Sequence, residues 1–512
     1  MEKEFELRLK PHEALSQDCL KKKIASACRL KVQDLAYFKI LRRSIDSRGE
    51  PRYCLRILAS TEKKKEIVKA KKYHDVSKSE RVVIVGAGPC GLFAALKLLE
   101  CGLKPVIVER GKRIEDRKKD IALIARNEEF NENSNWCFGE GGAGTFSDGK
   151  LYTRSNKRGN IEEVLETFVE FGADEDILID AHAHIGTDKL SRIIKNIRNK
   201  ITECGGEYHF NSKMVDLLVK DNSVYGVKLA NGSTLEGKAV ILACGHSARD
   251  IYKLFAEKSW LIESKPFALG VRVEHAQEFI NRTQYHTDKY SKLLPAATYS
   301  LTHNIGDRGV FSFCMCPGGM VIPSSTERDC LVVNGMSSSL RNSPYANSGI
   351  VVSVSEKDVP EYLHYGALSL MRFQEKCEQK MYFDRQMAPA QRISDFVDKK
   401  ASTSLCDSSY PAGLRSADMS DLLPKFISNS LRQALVAFDK KMKGFVSKYA
   451  LMIGLESRTS SPVRIPRDKD NLQHLQLKNL YPCGEGAGYA GGITSSAMDG
   501  INAAQKIACS EE

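Results

Sequence analysis

No apolar run in this chain approaches the ~18 residues needed to cross a bilayer. The opening Met-Glu-Lys-Glu-Phe also lacks the apolar core of a signal peptide. The expectation is a soluble protein with no membrane partner. No cysteine framework repeats: fifteen thiols are scattered over 512 residues, which suits reduced cysteines in a cytoplasm better than secreted disulfides. No structural zinc pattern stands out. His182 and His184 alternate with alanine and have no companion ligands, so no metal is expected. Also missing are a G-x-S-x-G elbow, a zincin helix and a P-loop, which leaves hydrolase chemistry without support.

What is present is glycine in two places. Arg81-Val-Val-Ile-Val85 is a short apolar run suited to a strand buried on both faces, and it enters Gly86-Ala-Gly-Pro-Cys-Gly91. Leu92, Ala95, Leu96 and Leu99 then recur at helical spacing. In such a strand–turn–helix Gly86 allows the tight turn, Gly88 lets a diphosphate approach the backbone, and Gly91 lets helix and strand pack closely. Pro89 lies in the same loop, and Cys90 reads as a small packing residue. A second strand, Pro105-Val-Ile-Val-Glu109, ends in an acid at the offset where a carboxylate meets the adenosine ribose. Glu109 and its neighbour Arg110 are therefore assigned to the cofactor.

The far end carries Leu480-Tyr-Pro-Cys-Gly-Glu-Gly-Ala-Gly488, a strand running into a loop, and Gly491-Gly-Ile-Thr-Ser-Ser, the start of a helix through Ile501, Ala504 and Ile507. Two glycine-rich jaws at opposite ends of one chain fit a single FAD better than two separate sites. Gly484, Glu485, Gly492 and Ile493 form the second jaw, where a helix start favours negative charge on the reduced flavin. Between the jaws, Phe138-Gly-Glu-Gly-Gly-Ala-Gly-Thr-Phe-Ser-Asp-Gly-Lys150 offers backbone that can lie against a flat ring, Gly141 and Gly142 among it. Trp136 and Phe138 read either as ring contacts or as core. Lys150 reads either as a ligand of flavin N1 or a substrate carboxylate, or as a surface lysine after a turn.

These segments, with His184-Ile-Gly-Thr-Asp188, Phe313-Cys-Met-Cys-Pro-Gly-Gly319 and Glu456-Ser-Arg-Thr-Ser-Ser-Pro-Val-Arg-Ile-Pro-Arg467, resemble the bacterial family of uncharacterised FAD-dependent dehydrogenases. That family is a branch of the glutathione-reductase-type flavoproteins, and the resemblance covers nearly the whole length. It implies FAD and an α/β fold: a Rossmann-like FAD-binding domain of glutathione-reductase type in two parts, 80–261 and 446–512, around an inserted α+β substrate domain at 262–445. A small βαββ, ferredoxin-like domain occupies 1–75, and 61–80 reads as a linker. Within the first part, a helix is expected from Asp188 to Cys204, then strands at Tyr208, Met214 and Val224 with the backbone of Met214 and Val215 near the adenine. Ala239-Val-Ile-Leu-Ala-Cys-Gly245 rejoins the parallel sheet.

No second G-x-G-x-x-G follows a strand, and the first helix region has no redox cysteine pair. Hydride must come from an organic substrate, from a nicotinamide that visits without its own domain, or from a partner protein; the first is the expectation. The function implied is an FAD-dependent oxidoreductase moving a hydride between a small, acidic organic substrate and flavin N5, with a separate electron donor or acceptor. Arg458 is placed to clamp a substrate carboxylate, or else to stabilise its loop. Cys314 and Cys316 read as redox-active or nucleophilic thiols, or as packing beside a glycine turn; Asn334 and Arg341 line the pocket in the family reading. The alternatives are a non-catalytic flavin-binding protein and a flavoprotein acting on nucleic acid. The latter rests on residues 1–80, where 21 Lys and Arg stand against 12 Asp and Glu, nine of the net +12. Nucleic acid remains the less favoured partner, because only Tyr37, Phe38 and Tyr53 could stack on bases there.

Overall fold

Alternating side chains in the first sixty residues build a small antiparallel sheet. The computed structural model describes residues 1–64, 71–153 and 159–509. Its first elements are β1 (Glu2–Leu9), α1 (Gln17–Ala27), β2 (Tyr37–Asp46) and β3 (Arg52–Ser60), with β3 between β1 and β2. Ser16 opens the helix: its hydroxyl caps α1 by accepting from the Cys19 N–H at 3.4 Å. Leu20, Ile24 and Ala25 of α1 then pack on Leu55, Ile57 and Ala59. Tyr53 belongs to this core and donates its hydroxyl to the Leu293 carbonyl at 3.3 Å, and Phe38 packs partly against the same core. Tyr53 and Phe38, both considered for base stacking, are thus engaged in packing.

The expected linker falls partly at 65–70, outside the described residues. The part from 71 onward is docked. Val76 is fully buried and donates its N–H to the Cys204 carbonyl at 2.8 Å, and the Lys71 ammonium reaches the Thr167 hydroxyl at 2.6 Å.

The chain then lays down β4 (Arg81–Val85), α2 (Pro89–Glu100), β5 (Lys104–Val108), α3 (Ile114–Ala125), α4 (Thr187–Glu203) and β6 (Glu207–His209). The three strands run parallel in the order β4-β5-β6, their apolar runs covered on both faces. The strand at Tyr208 therefore closes the edge of the parallel sheet. A separate antiparallel layer follows, made by β7 (Met214–Lys220), β8 (Ser223–Leu229) and β9 (Thr234–Glu236), before β10 (Ala239–Leu242) pairs in parallel with the other side of β4.

A seven-stranded sheet comes next. It contains β11 (Phe267–Ala276), β12 (Thr302–Ile305), β13 (Arg308–Cys316), β14 (Tyr345–Val354), β15 (Ala388–Arg392), β16 (Leu414–Ser416) and β17 (Leu451–Glu456), in the order β12-β13-β14-β11-β17-β15-β16. A helix, α5 (Ser369–Met381), packs on it near β17. Leu451–Glu456 is a central strand here, so the boundary expected at 446 precedes a strand that this sheet keeps. Only at β18 (Leu480–Pro482) does the chain return to the parallel sheet, pairing with β10 and completing the order β18-β10-β4-β5-β6. The last helix, α6 (Ile493–Cys509), packs along α2. Strand β10 thus holds the head strand β4 on one side and the tail strand β18 on the other, which brings the two glycine-rich turns to the same end of the sheet.

Candidate functional site: a cleft between the two glycine-rich turns

The turns meet through small residues. A Cβ built on Gly484 would lie 3.1 Å from the Cys90 Cβ, and one on Gly500 of α6 would lie 2.1 Å from the Cys90 carbonyl oxygen. Cys90 is buried as a packing residue between them. Two other glycines of the first turn are structural: Gly86 has φ +110°, and a Cβ there would meet the Ala243 carbonyl oxygen at 2.4 Å, while one on Gly91 would meet the Gly86 carbonyl oxygen at 2.0 Å.

Both turns line one cleft of about 350 Å³. Gly86, Gly88, Pro89, Glu109, Arg110, Met214, Gly245, His246 and Glu485 line it. So do Gly142, which lies beside Gly88, and Gly491 to Ser496 at and before the start of α6; at the far end, where the seven-stranded sheet adjoins, stand Lys150, Phe313, Cys314 and Asn334. Arg458 lines it as well. Of the residues assigned to the cofactor, Gly91, Gly141, Gly484 and Val215 do not line the cleft. The first three shape it from behind. The expectation at Val215 concerns its backbone, and its side chain lies 38% exposed. Its neighbour Met214 takes the cleft position, beside a register shift between Met214 and Asp216 that sets which side chain points inward.

The loop 135–150 is held by one buried guanidinium that sequence reasoning passed over. Arg117 of α3 donates to the carbonyls of Asn135 (2.8 Å), Trp136 (2.9 Å), Glu140 (2.7 Å), Gly142 (2.9 Å) and Gly139 (3.2 Å). Burial pulls its pKa down to about 10, against the charges of Glu109 and Glu140. Two further ties seat the loop on the first turn: the Gly141 N–H donates to the Ala87 carbonyl at 2.8 Å, and the Gly139 N–H to Glu109 Oε1 at 3.0 Å. Glu109 also accepts from the N–H groups of Ala87 and Gly111, both at 2.9 Å. Its carboxylate therefore fastens the turn while one face borders the cleft. Arg110 pairs with Asp250 and stacks on the Phe138 ring at 4.3 Å. Trp136 lies in the core.

At the second jaw, Asp499 of α6 accepts from the Gly484 N–H at 2.7 Å and holds Arg467 through both oxygens at 2.6 and 3.0 Å. Glu485 faces His246 Nδ1 at 3.3 Å. The first-turn N–H groups of α6, which have no helical acceptor, open on the cleft.

The far end is built jointly with the seven-stranded sheet. The Lys150 ammonium donates to the Met315 carbonyl, lies 3.3 Å from Asp148 Oδ2 and reaches Cys316 Sγ at 4.0 Å. Burial would lower its pKa, but Cys316, Cys314 and Asp148 raise it, so the lysine stays charged. Asp148 also binds Arg341, with Nε 3.1 Å from Oδ1, which ties the loop to the sheet side. Arg458 departs from the two-bond substrate clamp. Its Nε and Nη2 bind Glu378 of α5 at 3.3 and 3.1 Å, while Arg249 binds the same carboxylate at 2.7 Å. Burial favours the acid form of Glu378, yet the two guanidinium groups hold its pKa at about 2. Arg458 Nη1 is left buried without a partner, in a residue that borders the cleft. His184 binds the Ser339 carbonyl at 3.2 Å, and among the described residues no group of three His, Cys, Asp or Glu is placed to hold a metal. No helix among them is long and apolar enough to cross a membrane.

A nucleotide-bearing cofactor fits this cleft on its own geometry. A Cβ on Gly88 would come no nearer than 3.9 Å to any protein atom, and those on Gly245, Gly491 and Gly492 would meet nothing within 4 Å. At these four cleft positions backbone stands open to a close-lying ligand. His246 Nε2 and Arg458 Nη1, both buried without partners, supply polar contacts deeper in. Fold and cleft together define an α/β protein built around a dinucleotide cofactor.

The comparisons identify that cofactor. Residues 79–123 match the FAD binding domain family, residues 266–459 match the family "FAD-dependent protein, C-terminal domain-like", and residues 1–57 match a domain of unknown function. The chain is 38% identical over 510 residues to a protein of Clostridium beijerinckii described as "Uncharacterized protein", with 95% of each covered. It belongs to the same family as that protein, and it is an FAD-binding flavoprotein. Solved structures to which the chain is similar include the flavin-dependent brominase Bmp2, at 13% identity and TM-score 0.38, covering 85% of this chain and 79% of that one. Another is CtdE in complex with FAD, at 11% identity and TM-score 0.33, covering 84% of each. At these scores neither informs the chemistry of the site.

Proposed function

We propose that the protein is an FAD-dependent oxidoreductase of glutathione-reductase type that moves a hydride between a small anionic organic substrate and the flavin. The 267–456 sheet acts as its substrate domain. The reading rests above all on Arg458 Nη1, a buried guanidinium N–H without a partner in a cleft that the FAD-binding turns also line. Bound FAD would supply a two-electron acceptor at flavin N5.

The chain's own residues would do the rest. Arg117 fixes the loop whose Gly142 and Gly144 border the cleft, so that substrate and cofactor meet in one geometry without reorganisation. The N–H groups at the start of α6 favour negative charge gathering beside them. Lys150 and Arg458 supply the positive charge that draws in a carboxylate. Because Arg458 already serves Glu378, it offers one hydrogen bond plus charge, and Asn334 offers a neutral polar contact. The seven-stranded sheet covers this end and limits water, which strengthens each of these interactions. Free thiols throughout the described chain suit a reducing cytoplasm, and a separate donor or acceptor completes the electron balance.

The test is an anaerobic screen of amino, hydroxy and unsaturated acids, with NADH and NADPH, for bleaching of the flavin absorbance. Bleaching by one class of acid, lost or weakened in Arg458→Ala, is the expected result. A holoprotein that no donor class bleaches would refute the enzyme reading.

A further inference from the structure

Cys314 and Cys316 sit where the seven-stranded sheet meets the FAD cleft, and the function proposed above leaves them unused. Strand β13 is irregular there: its pairing with β14 shifts register between Phe313 and Cys316, and Cys314 has φ +44°. A regular strand would hold residues two apart at about 6.6 Å between Cα atoms, at the outer edge of the range that a disulfide spans. The left-handed residue breaks that regular geometry, and the Cys316 thiol donates to the Cys314 carbonyl at 3.3 Å. Cys314 lines the cleft, and Cys316 lies fully buried behind it.

Charge around the pair is arranged for one thiolate. Arg272 of β11, fully buried, brings Nη1 to 3.8 Å from Cys316 Sγ and to 3.2 Å from the Cys314 carbonyl, and Lys150 approaches from the 135–150 loop. The other ionisable groups facing the pair are Asp148, bound to Lys150 and Arg341, and Glu456 of β17, which holds Arg272 Nε at 2.8 Å. Contact with the Cys316 thiol, then Lys150 and Arg272, lowers the Cys314 pKa against its burial, and the same contact raises that of Cys316. One sulfur is thus prepared as the nucleophile and its neighbour as the proton-bearing partner.

We propose that Cys314 and Cys316 form a dithiol/disulfide couple that exchanges two electrons with the bound FAD. In the oxidised state a bond joins the two sulfurs. Two electrons from the reduced cofactor, with one proton, break it; one sulfur keeps the proton as a thiol, the other is left as a thiolate that Lys150 and Arg272 beside the pair stabilise, and the cofactor is reoxidised. The reverse step returns both electrons. The couple rests on the FAD-binding reading of the cleft, but not on the identity of any organic donor.

The test is an anaerobic dithionite titration of the holoprotein. It should consume about four electrons per FAD, two for each couple, against about two in Cys314→Ser and in Cys316→Ser. Because Cys316 is fully buried and its variant risks misfolding, a second reading uses the wild-type protein alone. After mild oxidation by diamide, alkylation and peptide mass mapping should find residues 314 and 316 joined, and after dithionite both alkylated. Two electrons per FAD in the wild type, or two alkylated thiols in the oxidised protein, would overturn the proposal. Since dithionite is the donor, failure of every organic substrate to bleach the flavin would leave this result standing.

Discussion

Gly88→Ala separates what the fold needs from what the cofactor needs. Gly88 has φ −80° and ψ −176°, a conformation that alanine adopts without strain, and the new Cβ would lie 3.9 Å from Gly142 Cα, its nearest neighbour. Restricting the unfolded chain at such a site stabilises by about 0.4–1 kcal/mol, so the apoprotein should melt no earlier than wild type. The methyl would, however, fill the space through which the diphosphate approaches the backbone. Losing one charge-assisted hydrogen bond costs about 1.5–3 kcal/mol, which weakens FAD binding roughly 10- to 100-fold at ~1.4 kcal/mol per decade. Gly86→Ala is the control: φ +110° and a Cβ 2.4 Å from the Ala243 carbonyl oxygen place its cost in the fold itself, at least ~1–3 kcal/mol. Thermal melts of the apoproteins and titration of FAD by flavin fluorescence would read both quantities. If Gly88→Ala kept wild-type FAD affinity, or lost apoprotein stability as Gly86→Ala does, the cradle argument would fail.

Arg117→Met should lower stability by about 3 kcal/mol or more, since it leaves the carbonyls of the 135–142 loop without their buried donor; denaturant midpoints would show it, together with weaker FAD retention. Arg458→Ala should raise KM for the anionic substrate about tenfold or more with a smaller change in kcat, and Arg458→Lys should restore it only in part, because lysine cannot hold Glu378 through two nitrogens. His275, fully buried against Phe445 and Phe279, has its pKa lowered to about 4 by burial. The unfolded state therefore binds the extra proton between about pH 6.5 and 4, and stability should fall with acid across that window by about 1.4 kcal/mol per pH unit. In His275→Phe this contribution disappears, and a chemical-denaturation series over that pH range would show the flatter slope.

The FAD-binding half was legible because its signals are local. A strand, a glycine turn and a helix in register at 81–100 announce their geometry within twenty residues, and the turn at 484–488 with the helix after it does the same. What joined them was less visible: β10, which pairs four residues with β4 and three with β18. Site residues that act at long range were missed for the same reason. Arg117, Arg272, His246 and Glu378 carry no motif, and their meaning appears only when distant elements place carbonyls, thiols or guanidinium groups against them. Arg458 was chosen for its charge, and the carboxylate that claims most of it lies 80 residues away on α5. The C-x-C spacing did not announce the left-handed Cys314 that makes its strand irregular.

The most direct test is a crystal structure of the holoprotein. The account predicts one FAD per chain, its diphosphate against the backbone at Gly88 and its flavin between the 142–150 loop and the start of α6 at Gly491–Ile493. An FAD that touches only one of the two glycine-rich turns, or that lies outside the cleft they share, would contradict it.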